Sequence, residues 1–134
     1  MAGYSGTPLP RKLGIKEGDR IAVLRAPDGF HNYLGPLPDG VAVRERARGP
    51  LDMVLFFVER RAELERRFER LVGALDPAGA LWIGWPKRSS GVETDMSEDV
   101  VRGVALPRGL VDTKVCAIDD TWSGLKLVIR VENR

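Results

Sequence analysis

The chain has 134 residues, of which 21 are Lys or Arg and 19 are Asp or Glu; 43% are hydrophobic and the formal net charge is +2. A chain of this length is one domain's worth and buries roughly 68% of the surface exposed when unfolded, so a core forms without disulfides or metal. The charge divides as +3 over residues 1–51, −1 over 52–80 and zero over 81–134, which excludes the basic tail or stripe that binds nucleic acid.

The first element expected is a short helix in Thr7-Pro8-Leu9-Pro10-Arg11-Lys12-Leu13-Gly14-Ile15. Ser5 or Thr7 is available as its cap, proline is tolerated in its first turn, and Gly14 terminates it. After the turn Lys16–Asp19, Arg20–Leu24 reads as a strand, ended by Ala26-Pro27-Asp28-Gly29. Val41-Ala42-Val43 is a short second strand, and the Gly- and Pro-rich residues 30–40 between them read as mostly irregular.

Leu51–Val58 is a continuous apolar run, the pattern of a strand buried on both faces of a parallel sheet. The period then changes: Ala62, Leu64, Phe68, Leu71, Val72 and Leu75 share one face of a helix from about Arg60 to Leu75, stopped by Asp76-Pro77-Ala78-Gly79. Its other face alternates Arg60, Arg61, Arg66, Arg67 and Arg70 with Glu59, Glu63, Glu65 and Glu69, a pattern of i,i+4 pairs facing water. A strand from Ala80 to Trp85 completes a βαβ unit, and the right-handed crossover rule puts its helix on a defined face. Ser97–Leu106 is a further helix, with Ser97 or Asp95 at its cap and Glu98 and Asp99 in its first turn, ended by Pro107-Arg108-Gly109. Val111–Ile118 and Leu125–Val131 then form two strands joined by Asp119-Asp120-Thr121-Trp122-Ser123-Gly124, short enough for an antiparallel hairpin.

No apolar run approaches the roughly 20 residues that cross a bilayer, and the opening residues lack the pattern of a secretory signal, so the cytoplasm is the expected compartment. Cys116 is the only cysteine and His31 the only histidine, so an internal disulfide and a Cys- or His-rich metal site are excluded. No nucleophile, base and orienter can be assembled, and no catalytic residue, metal or cofactor is named.

The candidate site is the loop after Trp85. Lys87, Arg88, Ser89, Ser90 and Gly91 together form a possible anion cradle, Lys87 as a point charge with hydroxyls and loop N–H groups as donors; the alternative is a solvated loop ordered by the cap that follows. Trp85 and Trp122 offer stacking surfaces for a base, or else close a core. Asp119, Asp120 and Lys126 suggest acid–base chemistry, against the simpler use of consecutive aspartates to build a turn.

Strand, βαβ unit, helix and terminal antiparallel hairpin follow the order of the later part of class I S-adenosylmethionine-dependent methyltransferases. Leu13–Leu24 resembles the lead into their first strand, and Leu75-Asp76-Pro77-Ala78-Gly79-Ala80-Leu81 resembles the turn before a central strand. The resemblance implies a three-layer, Rossmann-like α/β sandwich over residues 1–134, with a mostly parallel sheet of five or six strands and an antiparallel C-terminal hairpin. It also implies that the strand starting at Leu125 inserts between those starting at Ala80 and Val111, and that Arg25, Asp28, Glu59 and Lys87 gather at the switch point. The departures fall where the cofactor of that family binds. Arg25-Ala26-Pro27-Asp28-Gly29-Phe30 stands in place of a glycine-rich loop, Glu45 is the only acid available after the second strand, and residues 29–51 are too few for the usual helix, strand, helix and strand.

The chain also resembles, over essentially its whole length, a small bacterial family without assigned function, at Tyr4-Ser5-Gly6-Thr7-Pro8-Leu9, Trp85-Pro86-Lys87 and Thr121-Trp122-Ser123-Gly124-Leu125-Lys126-Leu127. That family brings no catalytic residue to transfer. The sequence thus reads as a shortened relative of the methyltransferase fold without its activity: an interaction module that docks a protein partner or a second copy. The alternatives are a binding protein for a nucleotide or other anionic small molecule at Lys87–Gly91, and a methyltransferase.

Overall fold

A computed structural model describes residues 6–134, so the cap candidate Ser5 and the Tyr4-Ser5 part of the family resemblance lie outside the described residues. The elements are α1 (Leu9–Lys12), β1 (Arg20–Leu24), α2 (Phe30–Leu34), β2 (Ala42–Arg44), β3 (Leu51–Phe57), α3 (Arg61–Gly73), β4 (Leu75–Pro86), α4 (Glu98–Ala105), β5 (Leu110–Ala117) and β6 (Trp122–Ile129). The six strands form one sheet in the order β2-β1-β3-β4-β6-β5. β2, β1, β3 and β4 run parallel, whereas β6 pairs antiparallel with both β4 and β5. The C-terminal strand therefore inserts between its two predecessors, as the methyltransferase order implies.

The alternation of side chains along the central strands explains their unbroken apolar character. Val54 and Phe56 of β3 and Leu81 and Ile83 of β4 face Leu64, Phe68 and Leu71 of α3 and Val101 and Val104 of α4. Met53, Leu55 and Phe57, with Trp82, face the opposite layer, built from Leu9 of α1, Leu13 just after it, and Phe30 and Leu34 of α2. Both faces are covered, so neither can be polar. The fully buried Trp82 also donates its indole N–H to the Leu13 carbonyl at 3.0 Å, which ties the end of α1 to the sheet and satisfies the one polar atom of that side chain.

Three local features differ from the sequence reading. Residues 30–40 are not all irregular: Phe30 and Leu34, one helical turn apart, are both buried, and Phe30 meets Phe57 edge to face at 4.9 Å, enough to hold α2 against the sheet. The segment Asp76–Gly79 does not separate helix from strand. Leu75 is already paired with Leu51, and the extra residues form an irregularity within β4 before Ala80 pairs with Met53. Asp76 accepts the Ala78 N–H at 3.0 Å, and a Cβ on Gly79 would sit 2.9 Å from the Leu51 carbonyl oxygen, so glycine lets the two backbones approach. Finally, β6 starts at Trp122 rather than Leu125, because Trp122, Ser123 and Gly124 pair with Pro86, Trp85 and Gly84.

Candidate functional site

The strand order reverses between β1 and β3, and both strands point their carboxyl ends to the same side. Arg25 leaves β1 with φ 56°, and its guanidinium Nη1 lies 2.7 Å from Oε2 of Glu63 in the first turn of α3. Glu63 is also 3.9 Å from Arg66 and from Arg67, so it is shared among three cations. Arg25 and Asp28 line a concavity of about 420 Å³ together with Ala26, Pro27, Gly29, His31 and Glu45. Glu45, the acid anticipated after the second strand, does reach that concavity.

The end of β3 is tied to the loop after β4. Arg60 occupies the cap position of α3 and supplies no side-chain cap, leaving N–H groups open at the helix start. Asp95 fills one of these positions: its Oδ1 accepts the Arg61 N–H at 2.8 Å. Thr94 donates its hydroxyl to the Glu59 carbonyl at 2.6 Å, and Arg60 pairs with Glu93 at 3.4 Å. Residues 93–95 thus strap the loop to the start of α3.

A larger concavity of about 560 Å³ opens beneath this strap. Trp85 and Met96, both buried, contribute apolar lining, and Lys87, Arg88, Thr94, Asp95, Ser97, Glu98 and Ser123 contribute polar lining. Its polar groups divide into two sets. Asp95 is engaged by Arg61, Glu98 pairs with Arg102, and Ser97 accepts the Val100 N–H at 3.2 Å as the cap of α4. Lys87 and Arg88, by contrast, have no carboxylate within ion-pair distance among the described residues.

The residues singled out from sequence are therefore divided between two concavities, Arg25 and Asp28 in one and Trp85 and Lys87 in the other. Glu59 lines neither but offers its carbonyl to Thr94. Ser90 donates to the Lys87 carbonyl at 2.6 Å and accepts the Val92 N–H at 3.2 Å, which commits it to the turn. Ser89 and Gly91 are exposed beyond the lining. Trp122 is buried in the opposite layer, edge-on to Phe57 at 5.1 Å, and packs the core instead of presenting a stacking face. Asp119 accepts the N–H groups of Thr121 and Trp122 at 2.8 and 2.7 Å, the turn-building role. Ser123, unanticipated, reaches the cavity because the early start of β6 sets it opposite Trp85.

Cys116 is partly buried on β5; burial pushes its thiol up against smaller opposing effects of Lys12 and Lys114, which leaves it a poor nucleophile. Among the described residues no cluster of His, Cys, Asp or Glu is able to hold a metal ion, and no helix is long and apolar enough to cross a membrane.

This architecture matches solved structures of methyltransferases. A SAM-dependent methyltransferase from Aquifex aeolicus superimposes with a TM-score of 0.63 at 14% identity, over 96% of this chain and 91% of that one. A Sulfolobus solfataricus protein assigned to the type 11 methyltransferases gives 0.66 at 14% identity, over 98% and 95%. DhpI in its complex with SAH gives 0.62 at 14% identity, over 92% and 83%. The fold is that of the class I SAM-dependent methyltransferases. At these identities the likeness concerns the methyltransferase-like fold and not the activity. No family model matches the sequence, and neither does any curated protein.

Proposed function

We propose that this chain is a methyltransferase-like module that docks a protein partner or a second copy and transfers no methyl group. The observation that carries the reading is the Arg25–Glu63 ion pair across the switch point. S-adenosylmethionine presents a sulfonium cation, and Glu63, beside Arg25 at the start of α3, is already shared among Arg25, Arg66 and Arg67, which leaves Asp28 and Glu45 as the acids of the concavity without an ion pair among the described residues. Ala26 and Pro27 add side-chain bulk where a glycine-rich loop would let backbone close on the ligand. The compartment in this reading is the cytoplasm, in keeping with the free thiol of Cys116.

The test is thermal unfolding with S-adenosylmethionine and S-adenosylhomocysteine. A ligand at 100 times its Kd adds about 2.7 kcal/mol, a rise of several degrees for a domain of this size. We expect no rise with either compound; a saturable rise would overturn the reading and restore methyl transfer.

A second reading, an anionic small molecule such as a nucleotide in the larger cavity, is favoured by one observation: the acids lining it are engaged while Lys87 and Arg88 are not. Phosphate and common nucleotides belong in the same screen. A rise that Lys87→Ala abolishes would support this reading, and the absence of any rise counts against it for the compounds tried.

A further inference from the structure

We propose that the open edge of β2 docks an acidic, extended segment of another protein as a seventh strand; the inference rests on the interaction-module reading and names its surface. β2 lies at the end of the sheet and pairs only with β1. The Ala42 N–H donates to the Asp19 carbonyl at 2.9 Å, so Ala42 faces β1. In a parallel ladder successive residues direct their N–H and C=O to opposite sides, and those of Val43 therefore point away from β1 to the open edge. A strand added there has a donor and an acceptor waiting.

The cover of β2 is also incomplete. Parallel strands are normally buried on both faces. In the neighbouring β1, Ile21 to Leu24 are all buried, yet Ala42, Val43 and Arg44 are all exposed, Val43 by 40%.

Charge selects the occupant. Arg44, Arg46 and Arg48 lie within five residues at this edge with Glu45 as the one acid among them, a local charge of +2, and none of the three has a carboxylate within ion-pair distance among the described residues. Arg44 donates to the Arg48 carbonyl at 2.9 Å, which keeps the cationic segment folded beside the strand. Two copies meeting through β2 would set arginines against arginines, and such like charges block pairing between copies. A segment with carboxylates at alternate positions neutralises them while its main chain pairs with Val43, and its apolar positions, on the opposite face, find the exposed Val43 side chain.

The experiment selects strand-length peptides with Asp or Glu at alternate positions from a displayed library, against a matched library carrying Lys or Arg, using the whole protein as bait. Binding of the selected peptides is measured by fluorescence anisotropy. Val43→Pro removes only the outward N–H and leaves the ladder to β1 intact, and a second variant replaces Arg44, Arg46 and Arg48 with Gln. We expect acidic peptides to be enriched, each variant to weaken them about tenfold or more, and the Val43 amide of the unmodified protein to gain protection from hydrogen exchange when peptide binds. The exchange measurement stands even if Val43→Pro unfolds.

Enrichment of cationic peptides overturns the proposal, as does binding that leaves the Val43 amide unprotected. So does tighter binding of a single-stranded oligonucleotide that leaves this amide unprotected, since a polyanion would then be reading the arginines without adding a strand. Acidic peptides lost on Lys87→Ala instead would move docking to another surface and leave the module reading in place. Failure to select any peptide overturns the β2 proposal, and the module reading falls only if S-adenosylmethionine also binds.

Discussion

Asp52 and Asp112 show how single residues couple this protein to pH. Arg20 donates to Asp52 through its backbone N–H and its guanidinium and holds the carboxyl below the ordinary carboxylate range, and Arg102 of α4 lowers Asp112 in the same direction through its guanidinium alone. A depressed carboxyl makes the folded state the poorer proton binder, so its stabilising contribution is complete above about pH 4 and is lost as pH falls through the lower folded value. Both carboxylates are partly solvated, which keeps each contribution small. The expected outcome is that Asp52→Asn with Asp112→Asn flattens the acid side of the stability profile, measured as thermal midpoints over about pH 2 to 5. A profile that stays as steep as the parent's would assign acid sensitivity to other carboxylates.

The elements show where local pattern is sufficient and where it fails. The unbroken apolar run of β3, the helical spacing of Leu64, Phe68 and Leu71, and a cap of α4 at Ser97 or Asp95, of which the structure uses Ser97, were legible because each depends on residues close in sequence. The start of α3 near Arg60 was legible too, but its capping group was not, because it comes from Asp95, 34 positions away. No local pattern marks a loop aspartate as the cap of a remote helix. α2 was hidden by surrounding Gly and Pro, since what holds it is the contact of Phe30 with Phe57. The candidate site was legible as a location, the carboxyl end of β4. Its lining was not, because the register that brings in Ser123 and the burial that removes Trp122 are tertiary outcomes. Asp95→Ala is accordingly expected to cost about 1 kcal/mol by the loss of an N-cap, read in denaturant unfolding. It is also expected to speed exchange of the Arg61 amide, and an unchanged amide would show that water replaces the cap without loss.

At the scale of the molecule, the mixed sheet depends on β6 more than its place in the chain suggests. It forms an antiparallel ladder with β4 on one side and β5 on the other, and it carries Leu125 and Leu127 into the core beneath α3 and α4. Truncation after Thr121 is therefore expected to leave β5 with no strand to join and to abolish cooperative unfolding, as judged by calorimetry. A truncated chain that still melts cooperatively would show that β1, β3 and β4 with their helices form an independent unit.

The same insertion separates the order of synthesis from the order of assembly. β5 leaves the ribosome before the strand that must lie between it and β4. Until residues 122–129 emerge, the nascent chain presents the unpaired flank of β4, with Leu81, Trp82, Ile83 and Trp85 along that strand. Such an unpaired strand edge is a template for other strands, so until β6 is free to pair the partly made sheet is open to misassembly at β4.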